Sequence, residues 1–233
     1  MSLSTNTPIG CGAVTSSKIQ GWPLWLRIGF WFCTIVAVAV VARRLFALAS
    51  PPQSGPPQLL ALDAAFSMHA GLTLAHILPA LAFVMLTPLV FVRRFAHAVW
   101  PERLLFPLGA IVGGTAYAMS VYSVGGWVER SAVLIFNTLF LVSLAQAYRY
   151  SRQAKHALKL RWLVLAIGIL LGIATTRPVM GFFFATSRLT HLEPQQFFGI
   201  AFWVGFSINT VAVGLWLRSE RAKSLLESWA QYS

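Results

Sequence analysis

Apolar stretches, each close to the length needed to cross a bilayer, recur along almost the whole chain and leave few folds open to it. About 20 residues of helix span the hydrocarbon core of a membrane. Stretches of that order run from about Trp22 to Ala42, Ser67 to Val92, Leu104 to Val124, Ser131 to Tyr148, Trp162 to Phe184 and Phe197 to Leu217. Membrane strands would alternate apolar and polar residues over about ten positions. Ile35 to Val41 and Leu163 to Ile173 are instead apolar throughout, which is a helical pattern. Only 10% of the 233 residues are charged, against roughly 25% in soluble domains. So few charges cannot shield this much apolar helix from water. The implied class is all-α, an integral membrane bundle of about six transmembrane helices over residues 22–218. Residues 1–21 and 219–233 are read as cytoplasmic tails. The segment from Ser50 to Pro57 is too rich in proline for helix and forms a loop. In the C-terminal tail, Leu225, Leu226 and Trp229 share one helical face. That tail either continues the last helix or lies on the membrane surface.

The net charge of +12 would suggest nucleic acid in a soluble protein. Here no nucleic-acid-binding module accompanies it, and the basic residues fall between apolar segments. Their implied partners are membrane lipids, and their role is to set topology. One side collects 13 of them: Lys18, Arg27, Arg93, Arg94, Arg103, Arg149, Arg152, Lys155, Lys159, Arg161, Arg218, Arg221 and Lys223. The other has 5, namely Arg43, Arg44, Arg130, Arg177 and Arg188. The positive-inside rule then places a multi-pass protein in the cytoplasmic (inner) membrane with both termini cytoplasmic. The first apolar segment runs into Arg43-Arg44 instead of a small-residue cleavage site, so it reads as retained. Cys11 and Cys33 have no metal-type spacing. Gly109 with Gly113, and Gly168 with Gly172, form G-x-x-x-G pairs that let helices approach closely, within the bundle or across a dimer.

Polar residues inside apolar segments are the informative ones, because each is expensive in lipid. His76 lies roughly 14 Å into the second segment, at 1.5 Å per residue. On the same scale Asn137 and Arg177 lie roughly 9 and 10 Å from the outer ends of the fourth and fifth. Tyr122 is near the outer end of the third. These four share the outer half of the membrane, either as one polar cavity or as separately satisfied residues with Arg177 snorkelling outward. For haem, His69 and His76 are on one helical face and cannot bracket an iron. His97, His156 and His191 lie at segment ends or in loops, which leaves His69 with His191 as the one pair. All six acids (Asp63, Glu102, Glu129, Glu193, Glu220 and Glu227) are read as lying in loops or tails. No carboxylate dyad, P-loop or H-E-x-x-H follows, so no catalytic group, metal ligand or cofactor is assigned.

The landmarks resemble the bacterial membrane proteins grouped as domain of unknown function 2306. That family has a His opening an apolar helix, a His-Arg-x-x-Gly, a His-Arg-Arg-Trp-Met with an Arg fifteen residues after its Trp, and a last helix with Trp then Asn. His76 in Leu74-Ala-His-Ile-Leu matches the first His, Trp162 and Arg177 match the Trp and Arg, and Trp203 and Asn209 match the closing pair. The second motif reads Leu105-Phe-Pro-Leu-Gly109, and Lys159 stands where the family has its third His. The resemblance covers about residues 67–218 and implies the architecture, with Asn209 added to the candidate site, but no activity. His76, Tyr122, Asn137, Arg177 and Asn209 are therefore the candidate ligand-binding set, for a small amphipathic or anionic molecule. The alternatives are an accessory subunit partnered with other membrane subunits, and a haem or quinone redox protein.

The charge distribution makes a direct prediction. With the native cysteines replaced by serine, a Cys introduced at Ser54 should react with an impermeant thiol reagent in intact cells, and one at Ser151 should not. The opposite pattern would invert the orientation.

Overall fold

Backbone amides have no water to bond in a bilayer core, so each segment must satisfy them internally, and helices do so residue by residue. The structure, a computed structural model, describes residues 22–50, 54, 60, 63–64, 66–91, 100–190 and 194–230. Its helices are α1 (Leu24–Ala49), α2 (Ala70–Val90), α3 (Trp100–Ser120) and α4 (Gly126–Arg152), then α5 (His156–Leu170), α6 (Gly172–Thr190), α7 (Pro194–Arg218) and α8 (Glu220–Ala230). Among the described residues there is no strand. Five helical stretches among the described residues are long and apolar enough to cross a membrane: α1, α2, α4, α7, and α5–α6 as one unit. The chain is thus a multi-pass, all-α membrane protein. The remaining expected span, α3, is helical but less apolar, because Glu102 and Arg103 occupy its first turns and Thr115, Tyr117 and Ser120 its last.

Four boundaries differ from the sequence reading. α1 does not stop before Arg43 but carries both arginines inside its last two turns. The basic stretch is mostly helix, broken only at Gln153–Lys155, where Ala154 takes φ 55°. The fifth span is two helices meeting at Leu171, where Ala174 N–H bonds the Leu171 carbonyl at 3.0 Å in a tightened turn. After Ser219, α8 neither continues α7 nor lies free. It folds back, burying Ala222 and Leu226 with Leu160, Val164 and Trp216, while the Ser219 hydroxyl accepts from Ala222 N–H at 3.2 Å.

Packing closes the spans into a ring. α1 packs on α2, α2 on α3, α3 on α4, α4 on α7, α7 on α6, and α6 back on α1. α5 continues α6 at one end, wedged against α4 and α7. The glycine pairs make these approaches possible. A Cβ on Gly168 would meet Val213 Cγ2 of α7 at 2.7 Å, and one on Gly109 would meet Leu144 of α4 at 2.6 Å. Both motifs therefore serve contacts within the bundle.

The ring has two unlike ends, named here for Arg44 and for Lys159. At the Lys159 end, a buried Lys159 ammonium meets the Glu102 carboxylate at 2.5 Å, joining α5 to the start of α3. The acids are thus not confined to loops: Glu102 and Glu129 lie in the first turns of α3 and α4. Glu102→Gln leaves that ammonium buried without a counter-charge and should lower stability by about 3–5 kcal/mol. Adding Lys159→Met should restore most of it, as read by tryptophan fluorescence during thermal unfolding.

Candidate functional site

Toward the Arg44 end the helices separate around a cavity of about 250 Å³ inside the ring. Its walls follow helical spacing. α4 contributes Glu129, Val133, Phe136, Asn137 and Phe140, one face of three successive turns. α6 with the end of α5 contributes Leu170, Ile173, Ala174 and Arg177, and α1 contributes Ala37, Val40, Val41 and Arg44. Along α1, α4 and α5–α6 the lining is apolar deep in the bundle and charged toward the Arg44 end. The floor is therefore Val84, Phe140, Ile169 and Leu170, and the rim is Arg44, Glu129 and Arg177 with His69 and Tyr122.

His76, Tyr122, Asn137 and Arg177, from separate stretches of chain, all line this one cavity. Asn209 does not. Its carbonyl accepts from Thr175 Oγ1 at 2.8 Å and its amide donates to the Gly168 carbonyl at 3.3 Å, stitching α7 to α5–α6. Asn137 donates to the Gly113 carbonyl at 2.9 Å, which ties α4 to α3. His76 Nδ1 lies 2.9 Å from Thr115 Oγ1. That hydroxyl already donates to the Ile111 carbonyl at 2.7 Å, so at this contact it accepts from His76 Nδ1–H. Tyr122 stacks on His69 with centroids 3.8 Å apart. The pairing of His69 with His191 falls outside the described residues.

Sequence reasoning missed the rim's ion cluster. Arg43 donates to both oxygens of Asp63, at 3.2 and 2.8 Å, and Arg44 to Oδ1 at 2.6 Å. Asp63 and Arg44 are buried, and the Arg44 guanidinium also lies 4.0 Å over the Phe66 ring. Asp63 is 19 and 20 residues from its partners. Its one sequence signal was an acid following an arginine pair that ran against the charge bias.

Glu129 is satisfied otherwise. Its carboxylate accepts from Gly125 N–H at 2.5 Å at the start of α4, where the helix dipole favours negative charge. Arg177 has no such partner. Its Nη1 reaches only Met180 Sδ, at 3.8 Å, and its Nε is buried without a hydrogen bond. Among the described residues, no carboxylate lies within ion-pair distance of it. An arginine facing lipid headgroups would not line the interior of the ring. Chemically, the site can hold an anion at its rim and an apolar body below. Among the described residues, no group of three metal-ligating side chains converges.

Comparison with family models, curated proteins and solved structures finds no match for this chain.

An unpaired buried cation destabilises the protein that carries it. Arg177→Met should therefore raise the thermal midpoint of the unliganded protein in nanodiscs, corresponding to at least about 1 kcal/mol. A fall of that size would make Arg177 a structural anchor.

Proposed function

We propose that this protein is a cytoplasmic-membrane protein, with both termini cytoplasmic, that binds a small amphipathic anionic molecule in the cavity at the Arg44 end. The observation that carries the reading is Arg177, a permanent cation lining an interior cavity with its Nε unpartnered. Such a group is costly to a fold unless something else completes it. The cavity supplies the remainder of a ligand site: a concave volume, a largely apolar wall and a few convergent polar groups. We also assign the chain to a divergent branch of the domain of unknown function 2306 family, on His76, Trp162, Arg177, Trp203 and Asn209. Two of those landmarks, His76 and Arg177, line the cavity. The other landmarks have packing roles that support the assignment less directly. Trp203 on α7, for one, donates from its indole to the Val128 carbonyl on α4 at 3.2 Å.

The test is occupancy. Native mass spectrometry of the protein released from lipid nanodiscs, after exposure to a panel of small amphiphiles, should show one molecule retained per chain. Ile169→Trp, which fills the floor, should abolish retention while leaving the thermal midpoint within a few degrees of wild type. Equal retention by that variant would remove the cavity from consideration. Arg177→Lys should weaken retention, since an ammonium cannot reproduce the two parallel bonds of a guanidinium, and Arg177→Leu should eliminate it without unfolding the bundle.

A further inference from the structure

We infer that the ligand is a single-chain monoanion, a carboxylate on an apolar tail of about eight to ten carbons, seated tail-first with its carboxylate at Arg177; this rests on the ligand-site reading above. Three features of the cavity argue for it.

The first is charge. Around the rim stand three arginines (Arg43, Arg44 and Arg177) and two carboxylates (Asp63 and Glu129). One positive charge is left over. Asp63 sits between Arg43 and Arg44, and Glu129 is bonded to a backbone N–H, so among the described residues no carboxylate pairs directly with Arg177. A monoanion brings the rim to neutrality. A dianion would leave the site negative in a medium that penalises uncompensated charge, and a cation would add to the excess.

The second is shape. Arg presents its donors as a planar fork that matches the two oxygens of a carboxylate. Arg177 lines the cavity, and its Nη1 has only the weak contact with Met180 Sδ at 3.8 Å.

The third is polarity along the axis. Charge is confined to the rim, and the floor is Val84, Phe140, Ile169 and Leu170. A volume of about 250 Å³ exceeds the apolar cavity of roughly 150 Å³ that holds benzene. Scaled from the six heavy atoms of benzene, it takes about ten. That suits one tail, and it is too small for the two tails of a phospholipid.

Equilibrium dialysis of the full chain in phosphatidylcholine nanodiscs, corrected for empty discs, tests this with decanoate, decanol and decyltrimethylammonium. Decanoate should saturate one site per chain, with decanol at least tenfold weaker and the cation weaker still. From hexanoate to decanoate, affinity should rise about threefold to fourfold per methylene. Arg177→Gln should bring decanoate down to the level of decanol. Should that variant fail to fold, Arg177→Lys should still narrow the gap several-fold. Exchanging phosphatidylcholine for phosphatidylglycerol should leave decanoate binding unchanged, because a two-tailed anionic lipid does not fit. A several-fold loss on that exchange would overturn the single-chain inference. Decanol or the cation binding as tightly as decanoate would overturn the monoanion and leave the cavity reading standing. Saturable binding by none of the three, in a protein that is folded, would remove both.

Discussion

Hydrocarbon offers no hydrogen bonds, so every polar or charged group carried into this bundle must find its partner in the protein, and those partnerships organise the fold. Asn137 bonds a glycine carbonyl on α3, Asn209 bridges α7 to α5–α6, and His76 holds Thr115 across α2 and α3. Each such bond joins two helices at a depth where breaking it strands a polar group. Apolar packing alone would fix neither the depth nor the rotation of a helix, because lipid tails compete equally for its surface. The polar bonds, together with the close approaches at Gly109, Gly113, Gly168 and Gly172, supply that specificity.

Seen this way, the two ends of the ring do different work. At the Lys159 end the buried cation is paired, Lys159 with Glu102, and α8 folds over the ends of α5 and α7. At the Arg44 end a paired cluster, Arg43–Asp63–Arg44, stands beside an unpaired arginine across a cavity. Interiors pack at crystal-like density, and voids larger than a few waters are few. A void that is also bordered by an uncompensated cation costs stability twice over. Proteins retain such defects where function needs them.

The fold was legible in the sequence because its cause is local. Continuous apolar runs report on a helix in lipid wherever they occur, and α1, α2, α4, α5–α6 and α7 all follow from that rule. α3 was legible as a helix too, although its weaker hydropathy comes from the polar residues it presents to α2 and α4. Part of the cavity was legible for a related reason: a polar residue deep in an apolar run must point inward, so His76, Asn137 and Arg177 were marked. The ion cluster was not, because its cause is tertiary. Nothing in the residues around Asp63 says that a buried position awaits it beside the last turns of α1. Asn209 failed in the opposite direction. The resemblance alone added it to the site, but the neighbour that satisfies it is Thr175, a residue with no sequence signal of its own. The acids were discounted as loop residues, although a carboxylate in the first turn of a helix, as Glu129 is, bonds free N–H groups and can be buried there.

The position of Arg177 within α6 adds a further constraint on what can complete it. Pro178 follows directly and has no N–H, so it cannot donate to the carbonyl of Ala174 one turn earlier. Ala174 itself lines the cavity. The carbonyl of Ala174 therefore lacks its usual helical donor. Burying the cation and removing a backbone donor in consecutive residues is unfavourable for α6 as a helix. The proposed anionic ligand at Arg177 would offset the first of these two costs.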